Sequence, residues 1–158
     1  MIKSLALAAA IVTVTVGASV SVAADGPFTK AIKARQGLMQ VAGFNLGMLA
    51  AMAKGKQDYD ATLASEAAAN VLRAAQMNHS TLWPEGSDLT NKELTQETVA
   101  KPEAWSTYPE ISNKHKAWLE ASEKLAAVAG DGLDALKPAV GGVGKSCKGC
   151  HDDFRQKK

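Results

Sequence analysis

Lys145-Ser146-Cys147-Lys148-Gly149-Cys150-His151-Asp152-Asp153-Phe154-Arg155, "KSCKGCHDDFR", carries both cysteines of a 158-residue chain. The thiols stand three positions apart, and a histidine follows the second. Leu133, Leu136, Val140, Val143, Cys147, Cys150 and Phe154 recur at intervals of 3, 4, 3, 4, 3 and 4, the spacing of one apolar seam on a helix. The cysteines thus belong to the inward stripe of the last helix, and whatever they bind is expected inside the fold.

A disulfide across so short a loop would add little stability. CxxCH instead offers two thiols for the two vinyl groups of one porphyrin, with an imidazole beside them for its iron. Cys147 and Cys150 are one turn apart on one face, and His151, four residues after Cys147, stands over the same turn. Three other readings compete. Structural zinc needs four ligands, with only His79 and His115 left as further histidines. A thioredoxin-like dithiol wants a preceding strand, and a purely structural pair is the third.

The chain opens with Lys3, an apolar run from Leu5 to Val16 and small residues at Ser21-Val22-Ala23-Ala24, the pattern of a secretory signal cut after 23 or 24. The run is short for a membrane span, which needs about 20 apolar residues. Export and the absence of other cysteines favour covalent haem. Taking Lys3 from the 18 basic side chains leaves 17 against 16 acidic ones, so the mature chain is near neutral and has no basic stripe for nucleic acid. About 135 residues can bury a core of their own.

The remaining pattern predicts an all-α domain over 24–158, with helices near 27–54, 58–79, 110–129 and 132–156. Pro27 suits a first helical position, and Asp58 or Asp60 suits the cap of the second helix. Phe28, Ile32, Arg35, Met39, Ala42, Leu46, Leu49 and Ala53 form a seam on the first helix. Tyr59, Leu63, Ala67, Val71 and Ala74 do so on the second, and Ile111, Trp118, Leu125 and Val128 on the third. A long polar connection follows the second helix, with a short helical turn expected at 91–97. Pro138 either sits near the start of the last helix or kinks it, and Gly141, Gly142 and Gly144 weaken it further; a loop over 138–146 with a shorter helix behind it is the alternative. Such weakness beside the motif suggests that something bulky approaches the backbone. Buried Arg35 calls for an anion, unless it snorkels out at the bundle end.

"ARQGLMQ", "AKGKQDYD", "ETVAKPEAW" and "GKSCKGCHDDFR", in that order, resemble the cytochrome c′ family, the high-spin branch of the class II c-type cytochromes. The resemblance spans essentially the whole mature chain. It implies an antiparallel up-down four-helix bundle with one covalently attached haem c inside one end. The protein would be periplasmic, not an enzyme, without a membrane span after signal removal, and a homodimer through the first two helices. By position it implies haem on Cys147 and Cys150 and iron on His151. Met39 would cover the distal face, Arg35 and Gln36 would lie at the haem edge, Glu97 and Thr98 would border it, and Arg155 would sit near His151. The family has a large apolar residue where Ala104 stands, which questions the packing around Trp105. Expected partners are small redox proteins, through Lys145, Lys148 and the last helix, or gases such as nitric oxide and carbon monoxide at five-coordinate iron. The alternative is a six-coordinate electron carrier with Met39 as sixth ligand, since a thioether can ligate haem iron. His79 and His115 sit where surface histidines are expected.

Overall fold

The computed structural model describes residues 26–94 and 98–157, so the signal expected at 1–23 and Glu97 lie outside the described residues. Helix α1 is Thr29–Ala53. Pro27 lies in the turn before it rather than in its first turn. Phe28 caps it with φ 64°, and its ring lies against Gly86, where a Cβ would stand 3.5 Å from the ring. Gly55, at φ 66°, stops α1 as expected. There Lys56 N–H bonds Ala51 O at 2.9 Å and Gly55 N–H bonds Met52 O at 3.0 Å, which satisfies carbonyls that the helix end leaves open.

Helix α2 is Ala61–Gln76, and Asp60 is its cap, accepting from Leu63 N–H at 2.9 Å. Its buried face is Ala64, Ala67, Ala68, Val71, Ala74 and Ala75, small enough for neighbours to approach closely. The connection carries a 3₁₀ turn at Ser80–Leu82 and a short helix, α3, Glu103–Ser106, neither of which the apolar spacing announces. The helical turn expected at 91–97 is not formed over its described residues 91–94, which make turns closed by Asn91; 95–97 lie outside the described residues.

Helix α4 is Glu110–Val128 and α5 is Leu133–Phe154. The α5 helix runs without a break through Pro138, so there is no loop at 138–146. Pro138 and Asp134 are both exposed, and water can take the Asp134 carbonyl that the proline leaves without its N–H. A Cβ at Gly141, Gly142 or Gly144 would meet nothing within 4 Å. Among the described residues, none is the bulky neighbour that the glycines suggested.

The four long helices form a ring in which α1 packs on α2, α2 on α4, α4 on α5 and α5 on α1, the last contact being the loosest. The fold is an antiparallel all-α four-helix bundle. Leu49, Met52, Val71, Leu125, Leu136 and Val143 fill its core among the alanines. The only β-bridge among the described residues joins Ala100 to Arg155. No helix among them is long and apolar enough to cross a membrane.

Tyr59 fastens the start of α2 to the α4–α5 turn: its hydroxyl donates to Ala129 O and accepts from Gly132 N–H, both at 2.9 Å. Tyr59→Phe strands both backbone groups and should cost about 1–3 kcal/mol in urea unfolding. An unchanged midpoint would show that water replaces the hydroxyl.

Candidate functional site

Along α5, Val143 and Phe154 are buried, yet Cys147 and Cys150 between them are half-buried. Both are free thiols, one turn apart. Burial raises the pKa of each, and the Cys147 charge raises Cys150 further, so both are protonated at neutral pH. His151 is exposed, at the mouth of the site. Desolvation on its protein side and the charge of Arg155 lower its pKa, with Asp152 opposing, which favours the neutral imidazole that binds metals.

Across the bundle, the α1 stripe is interrupted in the same way. Ile32, Arg35 and Ala42 are buried, whereas Met39 is 36 % exposed. Asn45 and Met52 are buried as well, two positions that the predicted seam leaves out. Gaps in two buried stripes thus occur at the same end of the ring, on its loosest pair of helices.

Arg35 closes that end. It does not snorkel: it is 4 % exposed, and its Nη1 donates to Leu82 O at 3.2 Å and Ser87 Oγ at 3.0 Å. Its Nη2 donates to Ser87 O and Thr98 Oγ1, each at 3.0 Å, and the guanidinium lies 4.5 Å from the centroid of the Trp83 ring. These oxygens are neutral, so within the protein the guanidinium is met by dipoles and a π face, and the anion expected beside it is not among these protein partners. Burial still lowers its pKa. Arg35 and Thr98 are brought together as site neighbours; Gln36 beside them is half-buried. Leu82, Trp83 and Ser87 complete the arrangement, and only the aromatic Trp83 could have been suspected from sequence.

The connection is also pinned to the end of α5. Lys101 N–H bonds Phe154 O at 2.9 Å, and Gln156 N–H bonds Val99 O at 2.8 Å. Arg155 is therefore the extended residue after α5, one place short of the predicted helix end, although its N–H still bonds His151 O at 3.2 Å. Ala104 is 3 % exposed without disturbing Trp105, whose Nε1 donates to Trp83 O at 3.1 Å and whose ring faces Trp83 at 5.7 Å. Lys114 pairs with Asp153 at 2.8 Å beside the cysteine turn, and Lys148 pairs with Asp152.

His79 and His115 are not single surface histidines. Their rings lie 4.5 Å apart, half-buried against Trp118. Burial first, and the His115 charge second, lower the His79 pKa, while the contact with Ala74 O raises it.

Two half-buried thiols, an imidazole with a depressed pKa and breaks in both buried stripes fit haem c: thiols to hold the porphyrin and a nitrogen for iron. The sequence profile described as Cytochrome C′ matches residues 30–155. A cytochrome c′ from Cereibacter sphaeroides is 37 % identical over 127 residues, covering 80 % of this chain and 83 % of its own. The structure of cytochrome c′ from Rhodobacter Spheriodes superposes with a TM-score of 0.79 at 35 % identity, covering 83 % of this chain and 98 % of that one. A nitric oxide complex of a leucine-to-alanine mutant of cytochrome c prime from Alcaligenes xylosoxidans superposes at 0.70 with 31 % identity, covering 83 % and 97 %. Fold and thiol pair define a haem c protein of the four-helix-bundle kind. The chain belongs to the cytochrome c′ family, and its cofactor is haem c.

The lowered His79 pKa has a sign. Between its folded value and the ordinary 6.5 the unfolded chain binds more protons, so this contribution to stability is complete above 6.5 and lost as pH falls toward the folded value. His79→Gln should cost about 1 kcal/mol near neutrality. The gap from wild type should narrow on acidification in urea unfolding of the holoprotein; a constant gap would contradict the assignment.

Proposed function

We propose that the protein is an exported, periplasmic haem protein that binds small neutral diatomic gases, nitric oxide or carbon monoxide, at five-coordinate iron. The leader at 1–23 would be removed on export. The observation that carries the reading is the break in the buried stripes of two neighbouring helices, at Met39 on α1 and at the half-buried Cys147 and Cys150 on α5. The nitric oxide complex of the Alcaligenes relative supports it.

In this reading Cys147 and Cys150 hold the porphyrin through thioethers, and His151 gives its neutral nitrogen to the iron. When bound, haem c supplies an iron that takes a diatomic ligand and changes between ferric and ferrous states. Met39 would offer the bound gas an apolar thioether and exclude water and larger molecules. Arg35, with Ser87 and Thr98, positions the connection that closes the end, and Gln36 would border the haem. Arg155 lies beside His151 and disfavours its protonation. Leu38 and Met39 have no proton to donate or accept, which suits a carrier rather than an enzyme.

Electron exchange is a second role of the same haem. Exposed Lys145 and Lys148 flank the cysteines and suit an acidic redox protein as partner. Val41 and Phe44, 54 % and 68 % exposed on the outside of α1, are large apolar side chains that a homodimer through α1 and α2 would cover.

Ferric and ferrous absorption spectra, with and without nitric oxide, test the open site. A high-spin ferric spectrum is expected, and Met39→Ala should speed gas binding about tenfold, equivalent to ~1.4 kcal/mol of barrier. A low-spin ferric spectrum with a sulfur-to-iron band, abolished by Met39→Ala, would make Met39 the sixth ligand and sink the reading. For the dimer, Phe44→Glu should convert the sedimenting species to monomer; a monomeric wild type would refute it.

A further inference from the structure

The His79–His115 pair has no part in the reading above. His79 Nε2 lies 2.9 Å from Ala74 O, and His115 Nε2 lies 2.9 Å from Ala75 O, two successive carbonyls at the end of α2. A carbonyl only accepts, so each Nε2 carries the hydrogen. In the neutral ring the lone pair is then on Nδ1. A histidine that ligates a metal ordinarily donates its other N–H to a carbonyl or carboxylate in this way, which fixes the tautomer and raises the basicity of the ligating nitrogen. Here two neighbouring rings share the arrangement.

The separation also suits one ion. Two imidazoles on adjacent positions of a metal, with bonds of about 2.0–2.1 Å, have centroids roughly 4.5–5 Å apart. The observed centroids are 4.5 Å apart with planes tilted by 51°. Trp118 walls the pair, its ring 5.7 Å from His79 and 6.0 Å from His115. The cations on either side of His115 are already engaged, Lys114 with Asp153 at 2.8 Å and Lys116 with Glu120 at 4.0 Å.

We propose that His79 and His115 form a two-histidine site for a divalent transition-metal ion, copper(II) before zinc(II), bound through Nδ1 of each ring. Among the described residues no third histidine, cysteine, aspartate or glutamate joins the pair in a group that could hold a metal, so the protein would supply two donors and water the rest. Imidazole donors without carboxylates or thiolates suit copper, nickel and zinc, and copper(II) binds such nitrogen sets most tightly.

The test is copper(II) titration of the ferric holoprotein, followed by electron paramagnetic resonance. Haem occupies the cysteine motif, and ferric iron cannot reduce the added ion. One equivalent should bind with spin-echo modulation from two imidazoles, and His79→Gln and His115→Gln should each weaken binding at least about tenfold. Absence of binding, fewer than two imidazoles in the wild-type signal, or unchanged affinity in either variant with an intact haem spectrum would overturn the proposal. If a variant does not fold, the imidazole count on wild type decides alone.

Discussion

A guanidinium leaves water only where its N–H groups find other acceptors, and Arg35 imposes that requirement on a long stretch of chain. Its partners, Leu82, Ser87 and Thr98, all come from the connection between α2 and α4, and Trp83 covers its face. The connection must therefore cross the end of the bundle where α1 begins. Lys101 and Gln156 then tie its far part to the end of α5. One buried cation thus brings the start of α1, the connection and the cysteine helix to the same end of the fold.

The same end is where the bundle is least complete. Elsewhere leucine, valine and alanine close the ring; at Met39, Cys147 and Cys150 the inward stripes lose their burial. A group held covalently between α1 and α5 would restore the missing apolar contacts, so the cofactor serves as part of the core. On the opposite side, His79, His115 and Trp118 close α2 against α4 with polar rings whose nitrogens meet backbone carbonyls. The two sides of this end thus carry different chemistry, thiols on one and imidazoles on the other.

Much of this was legible from spacing. The seam through Cys147 and Cys150, the Asp60 cap and the Gly55 stop rest on local rules, in which a residue's neighbours three and four positions away settle its role. Pro138 left its place open between helix start, kink and loop, because the cost of a proline depends on whether its orphaned carbonyl can reach water. Arg35 was legible in part: its burial was readable, but its protein acceptors lie far along the chain, and a long irregular connection has no period from which to read them.

By itself the sequence determined four amphipathic helices and a haem attachment motif facing inward on the last, because helical periodicity and CxxCH are encoded over a few consecutive residues. Only the tertiary structure decided that neutral oxygens hold Arg35, that Met39 is exposed within a buried stripe, and that His79 meets His115. Each of those depends on groups that chain connectivity does not bring together, and only the packing of the bundle sets the distances between them.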